Sequence, residues 1–170
     1  MNIVLIGYRG TGKSLVGNLL AARLGMKYIG MDAAIVARAG MSIPEIVAQF
    51  GWPGFRDRET DAVRELAAAD NLVIDTGGGV IERPENIDIL RQHGCIIWLR
   101  ASVATIVSRI QGDTERPSLT AGKSFTEEVA EVLERRTPAY GAAAQFAIDT
   151  DQLAPEEIVQ RIIAFREGAA

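Results

Sequence analysis

Short apolar runs alternate along this chain with longer segments in which apolar residues recur three and four positions apart. The runs are Ile3 to Ile6, Leu72 to Ile74, Cys95 to Leu99 and Phe146 to Ile148, with a weaker one at Lys27 to Ile29. Each is short and continuous, as strands are when both faces of their sheet are covered. The segments between them have helical period, so the pattern predicts a βα alternation and a parallel sheet flanked by helices. LVGNLLAARLG reads as the first helix, closing on Gly25, and PENIDILRQHG as another, with Pro84 near its first turn and Gly94 at its end. A last helix, PEEIVQRIIAFRE, starts at Pro155 with two glutamates where the helix dipole favours them. Two stretches interrupt the alternation. Asp32 to Leu66 is mostly helical by pattern, and Gly112 to Ser124, GDTERPSLTAGKS, is rich in small, polar and Pro residues, which predicts a mobile functional loop.

Composition narrows the class. At 170 residues, 48% of them apolar, the chain is expected to form one domain over 1–170. Its net charge of −4 argues against a nucleic-acid partner held by a general basic surface. Cys95 is the single cysteine, so no internal disulfide can form, and its apolar flanks predict a buried thiol. No apolar run reaches the length of a membrane span, and no basic region precedes an apolar stretch at the N-terminus. A cytoplasmic protein without a membrane partner is expected.

Candidate chemistry begins behind the first strand, at GYRGTGKS, Gly7 to Ser14. This GxxxxGKS pattern places glycines where backbone N–H groups turn toward an anion. Lys13 then reaches the β and γ phosphates and Ser14 offers its hydroxyl to Mg2+. Gly10, Thr11, Gly12, Lys13, Ser14 and Leu15 are the predicted nucleotide-binding residues, with the following helix contributing its N-terminal dipole. A second substrate is indicated by one acid and several arginines in the interruptions: Asp32, Arg56, Arg116 and Arg136, together with the triple glycine Gly77, Gly78 and Gly79 at the end of the third strand. An acid able to take a hydroxyl proton, beside arginines that fork onto a carboxylate, suits a small hydroxy acid as phosphate acceptor.

The set GYRGTGKS, GMDAAI, GFRDRE, TGGGVI, ERPSL and RRTPAY, in this order, resembles shikimate kinase, and the similarity runs over essentially the whole chain. The resemblance implies a P-loop (Walker A) α/β fold with five parallel strands in the order 2-3-1-4-5, a helical substrate-binding insertion at about 32–66 and a lid at about 112–124. It implies ATP-dependent phosphorylation of the 3-hydroxyl of shikimate, on the route to chorismate and the aromatic amino acids, by a monomer. By the same resemblance Asp32 holds the ring hydroxyls and orients or deprotonates the attacking one. Arg56 and Arg136 clamp the carboxylate, and Gly78 and Gly79 let the substrate approach the backbone. Arg116 reaches the transferring phosphoryl group. Arg109 stacks on adenine, with Asp149 to Asp151 closing the other side. Plainer roles stay open beside these. Arg56 and Arg136 could be surface salt-bridge partners of nearby Glu and Asp, Asp32 the N-cap of the following helix, and Arg109 a solvated helix residue. Arg58 and Arg135 read as solvated or structural.

Several positions depart from the family pattern. The family usually carries Asp-x-Asp where this chain has Gly30-Met31-Asp32, so one acid near the metal is missing. Asp75 ends the third strand, where P-loop proteins place a metal-holding acid, and is the candidate replacement beside Ser14; its alternative is a cap on the glycine turn or a bond to Ser14. Leu15 stands where a second hydroxyl often follows Ser14, and Ser118 follows Arg116-Pro117. Trp52-Pro53 replaces the usual Gly-Glu, and Trp52 either packs over the insertion helices or lines the site. Two other functions remain open at this level: another small-metabolite kinase such as a gluconate or nucleotide kinase, and a relative that binds nucleotide or shikimate without transferring phosphate.

Overall fold

A computed structural model describes residues 1–111, 118–119 and 122–168. Five parallel strands form its centre: β1 (Asn2–Ile6), β2 (Lys27–Gly30), β3 (Leu72–Asp75), β4 (Gly94–Arg100) and β5 (Phe146–Asp149). They lie in the order β2-β3-β1-β4-β5, the expected 2-3-1-4-5. Every predicted apolar run is a strand, extended by a residue or two at its ends.

β1 shows why the runs are continuous. Val4 and Ile6 belong to a core shared with Met31, Phe55, Val63 and Leu90, while Ile3 and Leu5 belong to another shared with Val16, Leu20 and Ile162. Successive side chains point to opposite faces, and both faces are covered. Helices α1 (Lys13–Leu24) and α7 (Pro155–Arg166) cover one face. Over the other lie α2 (Met31–Ala39), α3 (Ile43–Ala68), α4 (Pro84–His93) and α6 (Phe125–Ala143). A smaller core gathers Tyr8 and Val132 with Ile106 and Ile110 of α5 (Val103–Ile110). Burying each Val, Leu or Ile side chain contributes roughly 1.5–3 kcal/mol, which outweighs the small propensity differences within these elements.

The helix limits follow local chemistry. Gly25 closes α1 in the left-handed conformation, as its position predicts. Gly94 does not play that part for α4: its extended backbone opens β4 instead. Ser42 starts α3 with a reciprocal capping box to Glu45, and Ser124 starts α6 in the same way with Glu127. The insertion is therefore helical, and α3 bends at Gly51, whose φ of 68° and ψ of 176° form a backbone conformation essentially restricted to glycine. Asp32 is not an N-cap. Gly30 occupies that position, and Asp32 stands in the first turn of α2, where the dipole favours an acid. Cys95 is half-buried rather than buried, and desolvation pushes its thiol up.

Candidate active site

The strands run parallel, so the loops leaving their carboxyl ends gather along one edge of the sheet, the usual place for a ligand in such folds. The phosphate-loop candidate leaves β1, the segment to Asp32 leaves β2, and the glycine triplet leaves β3. One cleft of about 790 Å³ joins them, lined by Gly10, Gly12, Lys13, Ser14 and Leu15 on one side and Asp32, Asp75 and Gly78 on the other.

Gly7, Gly10 and Gly12 all take positive φ in the turn between β1 and α1. The buried Thr11 ties the turn together by donating to the Tyr8 carbonyl at 2.8 Å. Lys13 is 8% exposed, and its Nζ donates to the carbonyls of Gly7 at 2.9 Å and Tyr8 at 3.0 Å. The ammonium is thus held over the loop rather than in solvent. Leu15 is 56% exposed at the mouth of the cleft. Arg109 donates to the Gly10 carbonyl at 3.1 Å and to Thr150 Oγ1 at 3.4 Å, so it bridges the phosphate loop to the turn after β5. Asp149 pairs with Arg100 at 2.7 Å, and Asp151 accepts from the Ser102 backbone N–H at 3.0 Å at the start of α5.

Ser14 Oγ donates to Asp75 Oδ2 at 2.6 Å, the plainer of the two roles left open for this acid. Tyr28 joins them by donating to the same carboxylate oxygen at 2.9 Å. Burial, then the adjacent Asp75, pushes the Tyr28 phenol up to about 12, so it stays protonated and donating. Sequence reasoning did not identify Tyr28. A Cβ built on Gly30 would lie 3.4 Å from its hydroxyl, so the phenol occupies the space beside the position that lacks the usual acid. The available signal was a tyrosine two residues before Gly30 on the same strand, hence on the same face.

The arginine pair lies beyond the glycine triplet. Arg56 is 7% exposed and Arg136 5% exposed, and both are ion-paired inside the protein. Arg56 Nη1 donates to the buried Glu59 at 2.7 Å, one turn along α3. Arg136 donates to Glu82 Oε1 through Nε at 2.9 Å and Nη2 at 2.5 Å. The salt-bridge reading of these two residues therefore describes them as they stand, but in the interior rather than on the surface. Their other guanidinium nitrogens turn to the glycines. A Cβ at Gly78 would sit 3.5 Å from Arg136 Nη1, and one at Gly79 would fall inside the Arg56 guanidinium, so a side chain there would have to displace that guanidinium. Tyr140, with its phenol pushed up to about 12 by burial, donates to the Gly78 carbonyl and fixes the loop. Gly77 is buried with its neighbours.

Trp52 lies on α3 just past its bend. It packs edge-on against Phe55 with centroids 5.7 Å apart, and it lines a small cavity with Arg9, Gly78 and Arg136. The Arg56 guanidinium lies 5.5 Å from its ring. Arg58 is structural, donating to the Gly54 carbonyl and lying over Phe50. Arg116 lies outside the described residues, as does most of the predicted lid. Of that segment, Ser118 and the Leu119 backbone N–H bond to the buried Glu128 on α6.

These groups suit phosphoryl transfer to a small anion. A glycine-rich loop with a lysine, a carboxylate beside a hydroxyl, a second carboxylate in the same cleft and a buried guanidinium pair are what its charges require. Comparison with known proteins agrees. Residues 9–167 match the model of the shikimate kinase family. A shikimate kinase of Geobacter sulfurreducens is 44% identical over 164 residues, spanning 96% of this chain and 90% of the relative. A solved shikimate kinase from Acinetobacter baumannii, in complex with shikimate, superposes with a TM-score of 0.93 at 34% identity, covering 98% of this chain and 93% of that one. The shikimate kinase of Aquifex aeolicus superposes with a TM-score of 0.82 at 30% identity, covering 99% and 97%.

Proposed function

The chain belongs to the shikimate kinase family and phosphorylates the 3-hydroxyl of shikimate with ATP as donor; we propose that it does so through the residues gathered around the cleft. The observation that supports this assignment most directly is that Lys13, Ser14, Asp32 and Gly78 open on one cavity, with Arg136 immediately behind Gly78. Nucleotide phosphates and a hydroxy acid can thus meet without crossing solvent.

The phosphate loop and Lys13 bind the nucleotide phosphates. Asp32 faces the acceptor and orients its hydroxyl or takes the proton as the phosphoryl group moves. Arg56 and Arg136 bind the carboxylate of shikimate, and the bare backbone at Gly78 and Gly79 lets the ring come close. Arg109 lies against the adenine, and Arg116 serves the transferring group. Holding the reactants in line is the larger part of the work, because the transfer asks little covalent chemistry of the protein.

Ser14 and Asp75 suit Mg2+. They present hard oxygens 2.6 Å apart at the phosphate end of the cleft, and Mg2+ in such kinases takes one or two protein ligands with phosphate oxygens and waters completing its shell. When bound, it neutralises charge on the phosphates. Asp75 supplies the negative charge that Gly30 does not. We further assign the protein to the cytoplasm as a monomer, with 1–170 as one kinase domain.

A coupled ADP-release assay with shikimate, quinate, gluconate and water as acceptors tests the assignment. Turnover dependent on shikimate, and at least a hundredfold above that with water, is expected. Equal ADP release with and without shikimate would overturn it.

A further inference from the structure

Glu82 stands where a substrate carboxylate would be drawn. It leaves the short 3-10 turn that follows the glycine triplet, Val80–Glu82. Its Oε1 accepts both Nε and Nη2 of Arg136, and its Oε2 lies 3.6 Å from Arg56 Nε. Arg135 adds a third, exposed guanidinium at 3.6 Å. Partial burial works to raise the Glu82 carboxyl, but Arg136, Arg56 and Arg135 together outweigh it, and the group stays below the usual carboxylate range. It is therefore an anion at neutral pH.

The two buried cations are thus matched before any substrate arrives, with the exposed Arg135 as one further positive charge beside Glu82. Arg56 and Arg136 contribute two positive charges, and Glu59 and Glu82 two negative ones. Glu59 is fully buried beneath Arg56 and one turn along the same helix, where it orients that guanidinium. Glu82 is 34% exposed at its side chain, bridges both arginines, and grips Arg136 by the Nε–Nη2 edge that a carboxylate ligand ordinarily uses. An incoming carboxylate is left with the edges turned toward Gly78 and Gly79, beside a like charge that has already claimed the same cations.

We infer that Glu82 is an internal counter-carboxylate that attenuates the Arg56–Arg136 clamp and sets how tightly a carboxylate substrate is held. This rests on the proposal that these arginines bind the substrate carboxylate. The restraint has a chemical use: an enzyme that holds substrate and transition state equally tightly gains no turnover, and a clamp this close to the glycine loop also contacts the product.

The test measures binding of shikimate and of its methyl ester by the tryptophan fluorescence of Trp52 and Trp98, in the parent protein and in Glu82→Gln, Glu82→Asp and Arg136→Ala. Removing the charge in an isosteric side chain should tighten shikimate about tenfold, as expected for loss of a like charge at close range, and change ester binding less than twofold. Glu82→Asp keeps the charge and should remain within about twofold of the parent. Unchanged or weaker shikimate binding in Glu82→Gln would overturn the inference, as would equal tightening of acid and ester, or equal effects of Gln and Asp. If instead the parent does not discriminate acid from ester and Arg136→Ala loses no affinity, the arginine clamp itself is wrong and the inference falls with it.

Discussion

At the scale of single residues, the phosphate end of the cleft is held by three hydroxyl or carboxyl groups rather than by a pair of acids. Ser14 and Tyr28 both donate to Asp75 Oδ2, at 2.6 and 2.9 Å. A carboxylate accepting two hydrogen bonds is well oriented, and one of its donors is the serine assigned to the metal. Asp75→Asn keeps the shape and removes the charge. The expected result is a roughly tenfold higher Mg2+ concentration for half-maximal activity, with a smaller change in saturated rate. An unchanged magnesium titration would show that Asp75 serves Ser14 alone. Glu82 and Tyr28 were not legible as functional residues because their significance lies in distant partners. Glu82 meets an arginine 54 positions away, and Tyr28 a carboxylate 47 positions away. No local period encodes such pairings.

At the scale of elements, α3 does the most to shape the acceptor side. Arg56 and Glu59 lie one turn apart on it, so the helix itself aligns the guanidinium with its buried partner. The bend at Gly51 sets the direction of that turn and delivers Trp52 to the cavity wall. Pro53 is tolerated because it stands just past the bend, where the helical hydrogen bonds restart. The Gly51 conformation costs a residue with a Cβ about 1–3 kcal/mol. Gly51→Ala should therefore lower the melting temperature by about 3–10 °C for a chain of this length. Shikimate affinity should weaken with it, through displaced Trp52 and Arg56, whereas nucleotide affinity should hold. A melt within 1 °C of the parent would show that the bend relaxes at no cost. The helical period of this insertion was readable from its sequence. Its bend was not, because glycine is also compatible with a straight helix or a loop.

At the scale of the whole molecule, the proposed donor and acceptor sites are built from different parts of the chain and brought to one sheet edge by strand order. β1 is central, with β3 and β4 beside it, so the phosphate loop leaves the middle of the sheet and the glycine triplet leaves its neighbour. Ligands held between such parts bind the folded state alone. Shikimate at a hundred times its dissociation constant should stabilise the protein by about 2.7 kcal/mol, a rise of about 5–10 °C in melting temperature by the same length scaling. Arg136→Ala should lose most of that rise at the same shikimate concentration. A full rise in that variant would mean the carboxylate is held elsewhere.

What the sequence by itself determined was local or periodic: the five strands, the flanking helices, the phosphate-binding turn and the residue types set around it. Continuous apolar runs, helical spacing and a glycine pattern each act over a few residues, and a motif in fixed order carries a family resemblance without coordinates. Tertiary structure decided which of those side chains meet. It turned Arg56 and Arg136 toward Gly79 and Gly78 while bonding them to Glu59 and Glu82, placed Tyr28 beside Gly30, and anchored Arg109 on a carbonyl 99 positions away. The reason is physical. Secondary structure follows from neighbours along the chain, whereas the charge balance of a buried site depends on which groups the packed sheet and helices bring within a few ångströms, where Coulomb interactions are strong.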